Sequence, residues 1–175
     1  MSLFSLRAFI GFGSNLGDLH QNYLEVRARL AGQPEILKLS ESPLFLTEPL
    51  VSDGQTQPWY LNGVFEIETS LGLRDLFNFL KQVERDMGRV SQKKWSSRVV
   101  DLDILFYGDV IFKDADICVP HREICYRPFV LRPLHDLAPG FIHPEMMMTM
   151  TELLEACSST LRVEPYDLQL TGTDL

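Results

Sequence analysis

The run Val99-Val100-Asp101-Leu102-Asp103-Ile104-Leu105-Phe106-Tyr107 restricts this chain more than any other stretch. It is apolar and rich in β-branched residues, so it reads as a strand. Side chains two apart on a strand point to the same face. Asp101 and Asp103 therefore stand side by side, while Leu102 and Ile104 point into a core. Carboxylates this close repel one another unless a cation sits between them. Oxygen ligands with no His or Cys beside them favour Mg²⁺ over Zn²⁺. The plainer reading is an edge strand with a solvated outer face, and the D-x-D spacing alone does not separate the two.

The charge distribution favours the metal reading. The formal net charge is -8, yet most of the Lys and Arg fall in one window, from Lys81 to Arg132. An acidic chain that gathers its cations around two carboxylates is built to hold a polyphosphate, whose oxygens suit Arg forks and a bridging Mg²⁺. The competing reading is a solvated basic face paired with local acids.

A length of 175 residues fits one domain. Met1–Arg7 has neither a basic n-region nor a long apolar stretch, so no secretory signal is expected. No apolar run reaches spanning length, which argues against a membrane segment. Cys118, Cys125 and Cys157 lack C-x-x-C spacing and suggest reduced thiols in a cytosol. Net negative charge argues against a general nucleic-acid binder.

Arg7–Phe12 reads as the first strand and runs into the turn cluster Gly13-Ser14-Asn15-Leu16-Gly17-Asp18. Asp18 or Asn15 caps the helix that follows, with Leu19, Tyr23, Val26 and Leu30 at helical spacing. Gly11-x-Gly13 lacks dinucleotide-fingerprint spacing, and no P-loop Lys follows it, so it reads as a strand-to-helix turn with a backbone contact to ligand. A second strand spans Glu35 to Thr47, continuing past Pro43. The loop Glu48–Pro58 is long enough for a lid or binding loop. Trp59–Thr69 is the third strand, and Gly72–Met87 an amphipathic helix ended by Gly88. A basic loop, Arg89–Arg98, leads into the Asp101/Asp103 strand. Val110–Phe112 is expected to pair back on that strand as a hairpin. Short helical stretches are expected at Glu123–Arg127 and Thr151–Cys157, with a helix or strand broken at Pro133 between Phe129 and Leu137. Met146-Met147-Met148 is expected to pack on the core.

The order β-α-β-β-α-β followed by a tail is the ferredoxin-like, α+β plan: an antiparallel sheet with two helices on one face and the other face free for ligand, here with a C-terminal helical extension.

Several segments together resemble the 6-hydroxymethyl-7,8-dihydropterin pyrophosphokinase family of folate biosynthesis. They are Gly11-Phe12-Gly13-Ser14-Asn15-Leu16-Gly17, Tyr60-Leu61-Asn62, Arg98–Gly108, Val119-Pro120-His121 and Arg127-x-Phe129. The resemblance covers nearly the whole chain and implies the same ferredoxin-like fold. It implies transfer of pyrophosphate from ATP to the hydroxymethyl group of 6-hydroxymethyl-7,8-dihydropterin with release of AMP. Asp101 and Asp103 would hold two Mg²⁺ ions, with Arg89 and Arg98 completing the catalytic set. Glu84, Arg89, Trp95, Arg98, Ile104, His121, Arg122 and Arg127 would line the ATP site. Thr47, Pro49, Leu50, Tyr60, Asn62 and Phe129 would bind the pterin, Phe129 by stacking. A cytoplasmic monomer of one domain, residues 1–175, is implied, with neither nucleic acid nor membrane as partner.

The chain departs from the family pattern in the loop from Gly88 to Trp95, which is one residue shorter, and at three further places. Ser96-Ser97 replaces Gly-Pro before Arg98, Arg122 follows His121 where relatives carry Tyr, and Asp116 stands where relatives carry an Arg. A nucleotide-sensing module without catalysis and an RNA-binding domain on the same scaffold are the rival readings. The first needs no strand carboxylate pair, and the second needs a basic sheet with paired aromatics.

Overall fold

The structure is a computed structural model and describes residues 5–49, 58–88 and 98–167. The elements follow the expected order. Strand β1 (Leu6–Ser14) leads to helix α1 (Leu19–Ala31), strands β2 (Ile36–Glu41), β3 (Phe45–Thr47) and β4 (Tyr60–Thr69), helix α2 (Leu73–Asp86) and strand β5 (Asp101–Tyr107). The main sheet runs β5-β1-β4-β3, every pairing antiparallel, with β2 also on β4.

The second expected strand is two strands, β2 and β3. Pro43 has no N–H to donate to a ladder. Ser42 covers the break, because its Oγ accepts from Val64 N at 2.9 Å while Ser42 N donates to Val64 O at 2.9 Å. Here β4 approaches closely: a Cβ on Gly63 would come within 2.6 Å of Leu44. Asp18, not Asn15, caps α1, accepting from Gln21 N at 2.9 Å. Gly88, with φ +89°, follows α2 in a conformation that non-glycine residues rarely adopt.

Helices cover both faces, which corrects the two-layer expectation. On one face α1 and α2 bury Val26, Leu30, Leu76 and Leu80 against Ile10, Phe65, Ile67 and Leu102. On the other, helices α3 (Pro128–Leu137) and α4 (Met150–Ala156) bury Leu131, Leu134, Met150 and Leu153 against Phe9, Val64, Leu105 and Phe106. Helix α3 continues through Pro133 instead of breaking there. A register shift beside Phe9 and Ile10 marks a bulge in β5, which lets consecutive residues Leu105 and Phe106 both join the second core. Among the described residues, the end of this face near Asp101 forms an open cavity.

Three other expectations are corrected. Strand β6 (Phe112–Lys113) pairs with β7 (Cys118–Val119), not with β5, because Asp114 Oδ1 accepts from the N–H groups of Asp116 and Ile117 and folds the chain tightly. The tail after α4 is not only helical, since β8 (Val163–Pro165) joins the sheet beside β3. Of the three consecutive methionines, Met146 and Met147 are exposed and only Met148 packs on the core, because Met147 turns with φ +53°.

Leu131→Ala is expected to lower the free energy of unfolding by about 3 kcal/mol, as for other fully buried leucines. Denaturant titration measures this, and a loss below about 1 kcal/mol would show that α3 is not an integral layer.

Candidate active site

The period-two prediction for β5 holds. Asp101 and Asp103 line one cavity, while Leu102 and Ile104 are buried among the residues under α2. Sheet register then sets what faces them. Asp101 pairs with Gly13, which pairs with Asn62; Asp103 pairs with Gly11, which pairs with Val64. Strands lie about 4.8 Å apart, so the carboxylates and the Asn62 amide are separated by roughly 10 Å of glycine-floored sheet. That is the use of Gly11-x-Gly13: it lies in β1 itself and clears the floor. The turn contact to ligand is not its main contribution.

The cavity above this floor has a volume of about 440 Å³. It gathers Arg98, Asp101, Asp103, His121, Arg122 and Arg127 from the expected phosphate set, and Thr47, Tyr60, Asn62 and Phe129 from the expected pterin set. Ile104 lines a smaller cavity of about 190 Å³ on the other side of Asp103, which shares His121 and Arg122 with the first. Pro49 is described but lines neither cavity. Leu50, Arg89 and Trp95 lie outside the described residues.

Glu84 is placed differently from the expectation. It is 2 % exposed, lines neither cavity, and its Oε1 accepts from Leu102 N at 2.7 Å and from Lys81 Nζ at 2.9 Å. Its position in the apolar stripe of α2 turns it onto the outer edge of β5. Lys81, one turn earlier, also reaches the cavity, and the sequence reading gave it no role beyond its place in the basic window. The i, i+3 spacing of Lys81 and Glu84 within that stripe was the available signal.

The turn Gly13-Ser14-Asn15 grips the segment entering β5. Arg98 N donates to Asn15 Oδ1 at 2.7 Å, and Asn15 N donates to Arg98 O at 3.1 Å. Ser14 Oγ donates to Val99 O at 2.6 Å, and Asn22 Nδ2 reaches Ser14 Oγ at 3.0 Å. Arg98 is thereby aimed at Asp101, with Nη1 2.6 Å from Oδ2. This positioning by Ser14, Asn15 and Asn22 was missed, because short polar residues before a helix read first as caps.

His121 follows a cis Val119–Pro120 bond and is tied to β5 by its N–H, which donates to Leu105 O at 2.9 Å. Its Nε2 lies 4.0 Å from Asp103 Oδ2. Burial holds the imidazole below its ordinary pKa, against the opposing pull of Asp103. Arg127 is ion-paired with Glu123 and lies over the Phe129 ring at 5.6 Å. Burial lowers its pKa as well, offset by Asp103 and Asp101. At the other end Asn62 Nδ2 donates to Thr47 Oγ1 at 2.8 Å, which fixes the amide. Burial raises the Tyr60 phenol.

The arrangement is a flat polar slot at one end and a cluster of alternating charges at the other. A sequence model of the family described as 7,8-dihydro-6-hydroxymethylpterin-pyrophosphokinase (HPPK) matches residues 9–139. The chain belongs to this pyrophosphokinase family. A 2-amino-4-hydroxy-6-hydroxymethyldihydropteridine pyrophosphokinase of Synechocystis is 34 % identical over 95 % of this chain and 84 % of its own length. The Pseudomonas aeruginosa protein of the same name is 35 % identical over 86 % and 91 %. The Dictyostelium discoideum folic acid synthesis protein FOL1 is 39 % identical over 83 % of this chain, but only 22 % of its own length is matched. The chain thus spans about a fifth of that relative, and likewise 20 % of the one from Schizosaccharomyces pombe. Among solved structures, Plasmodium falciparum HPPK-DHPS with pteroate superposes with a TM-score of 0.67 at 14 % identity, over 87 % of this chain and 42 % of that one. That likeness carries the α+β fold of an antiparallel sheet with helices.

The His121 ring is expected to titrate below 6.5, and further below in Asp103→Asn, because the carboxylate is what opposes burial. Since its folded pKa is depressed, the neutral ring's contribution to stability is complete above about pH 6.5 and is lost as pH falls toward the folded value. An NMR titration of the His121 ring checks both; an upward shift in Asp103→Asn would contradict the assigned geometry.

Proposed function

We propose that the chain transfers pyrophosphate from ATP to the hydroxymethyl group of 6-hydroxymethyl-7,8-dihydropterin, releasing AMP, in folate biosynthesis. Its family and its full-length bacterial relatives support this. The observation that carries it here is the row Asp101–Gly13–Asn62, which joins a phosphate-binding end to an amide-lined slot across a flat floor.

The donor set at Asp101 and Asp103 is all carboxylate oxygen and opens into the cavity, which fits Mg²⁺. Among the described residues no group of three or more His, Cys, Asp or Glu side chains could hold a metal. The remaining ligands are therefore expected from phosphate oxygens and water, as is usual for Mg²⁺ on nucleotides. Asp101 and Asp103 would hold two such ions, which would supply charge neutralisation and orientation to the phosphates. Arg98 then exchanges its bond to Asp101 for phosphate oxygen, and Arg127 exchanges Glu123 likewise. Arg122 and neutral His121 add donors along the same chain of phosphates. Ile104 and the smaller cavity take the adenosine end.

Asn62, held by Thr47, presents its amide to the pterin edge, with Tyr60 beside it and Phe129 stacked on the bicycle. This aims the hydroxymethyl oxygen at the β-phosphorus. The oxygen forms a bond to that phosphorus as the bond to the α–β bridging oxygen breaks; AMP leaves with that oxygen, and the hydroxyl proton passes to solvent. Positioning and charge stabilisation supply the rate, and no covalent nucleophile is needed.

The sheet order β5-β1-β4-β3 supports the ferredoxin-like plan for this single domain. We place the protein in the cytoplasm as a monomer. Its three unpaired cysteines suit a reducing compartment, and among the described residues no helix is long and apolar enough to cross a membrane.

Incubation with ATP, Mg²⁺ and the pterin alcohol is expected to yield AMP and the pterin pyrophosphate in equal amounts. ATP binding with no AMP would instead favour a nucleotide-sensing module. Asp103→Ala is expected to abolish turnover while leaving the thermal melt within a few degrees of the parent. Arg98→Ala is expected to lower kcat by at least about a hundredfold, the usual size of a lost transition-state donor; unchanged kinetics would remove Arg98 from the site.

A further inference from the structure

Lys81 occupies an unusual place. Its Nζ donates to Leu102 O at 2.8 Å and to Glu84 Oε1 at 2.9 Å. Glu84 Oε1 in turn accepts from Leu102 N at 2.7 Å. The two side chains of α2 thus pair with both polar groups of Leu102, on the free edge of β5, as a neighbouring strand would. The ammonium is anchored by these bonds and by the Phe77 ring, whose centroid is 5.7 Å away. It lies 3.9 Å from Asp103 Oδ1, beyond hydrogen-bond distance but within ion-pair range.

The ammonium is shared between Glu84, at 2.9 Å, and Asp103, at 3.9 Å, and the positive charge it presents to Asp103 has opposite effects on two ligands. It repels a divalent cation that approaches the carboxylates alone. It attracts the phosphates of a nucleotide, and the cation they carry meets a charge already balanced. Arg98 also neutralises this pair, but from a side chain with one carboxylate bond, which a phosphate can take over. Among the described residues, His121, Arg127 and Arg122 also face Asp103, and Lys113, Asp114 and Asp116 line the smaller cavity beside it.

We propose that Lys81 makes cation binding at Asp101 and Asp103 conditional on nucleotide: the anchored ammonium keeps the nucleotide-free site weak for divalent metal, so that metal enters with the phosphates. This rests on the reading of the two carboxylates as the metal site. Lys81 is in this sense a positioning and selectivity residue, set by geometry that the α2 stripe imposes.

The test is direct Mn²⁺ binding to the full chain, followed by the electron spin resonance of free Mn²⁺, with and without a non-hydrolysable ATP analogue. Lys81→Gln keeps a donor for Leu102 O and removes the charge; Lys81→Arg keeps the charge. In the absence of nucleotide, Lys81→Gln is expected to bind Mn²⁺ roughly tenfold more tightly than the parent, with Lys81→Arg close to the parent. With the analogue present, the parent is expected to bind Mn²⁺ strongly, and the advantage of Lys81→Gln is expected to vanish or reverse. Unchanged Mn²⁺ affinity in Lys81→Gln overturns the proposal, and so does equal tightening in Lys81→Arg, which would trace the effect to altered packing. Mn²⁺ binding indifferent to Asp103→Asn would overturn the carboxylate reading itself, a result separate from any failure at Lys81.

Discussion

Two ionised carboxylates on adjacent same-face positions of one strand are the constraint around which the molecule is arranged. Side by side at the margin of a sheet, they would repel one another if left alone. The fold surrounds them with cations from four different elements. Arg98 comes from the entry to β5, Lys81 from α2, Arg122 from the segment after β7, and Arg127 from the start of α3. Three of the four are anchored by something other than the aspartates: Arg98 through its backbone to Asn15, Lys81 through Leu102, Arg127 through Glu123. The aspartates are therefore balanced without being buried in rigid pairs, and a phosphate chain can take over the same donors.

That arrangement depends on β5 keeping its register at the end of a sheet. An edge strand with free N–H and C=O groups invites slippage or pairing with another chain. Here the outer edge is occupied by side chains and a loop. Glu84 and Lys81 engage Leu102, and His121 N–H engages Leu105 O. A one-residue slip would send both aspartates into the apolar face, and the fully buried Leu102 opposes it from the other side. The bulge beyond Ile104 then turns β5 to pack on α3, whose first turn brings Arg127 and Phe129 to the cavity rim.

What the sequence made legible was the part governed by local periodicity. The alternation of Asp101, Leu102, Asp103 and Ile104 placed two carboxylates outward and two apolar side chains inward. Element order followed from patterns of the same kind, whereas the role expected of Asn62 came from the family resemblance. The opposite case is Glu84: the resemblance placed it at the nucleotide, and the position of β5 shows that it completes a backbone pairing with Leu102. Lys81 was opaque for the same reason. The β6–β7 hairpin turned on one Asx-type turn at Asp114, and the covering of the second sheet face by α3 and α4 on long-range packing that no window of the sequence encodes. Arg89 and Trp95 lie outside the described residues, so that part of the expected site stays a matter of family resemblance.

The two ends of the cavity have contrasting chemistry, and the sheet enforces the contrast. Asn62 is held by a neutral hydroxyl and sits among Tyr60, Phe129 and glycine backbone, where a flat neutral ring gains by stacking. The aspartates sit among guanidinium groups, where only a highly charged ligand gains. Between them Gly11 and Gly13 present no side chain, so the described floor leaves room for a ligand that spans both ends. Two strand spacings of roughly 10 Å are about what a bicycle joined by one methylene oxygen to a phosphate chain requires. A ligand made only of the neutral part leaves the cations paired with the aspartates and Glu123, and a ligand made only of phosphates leaves the amide slot unfilled. On the proposed function, occupation of both ends together would offer phosphate oxygens to the cations and a ring edge to the Asn62 amide, with the alcohol oxygen facing the middle of the phosphate chain.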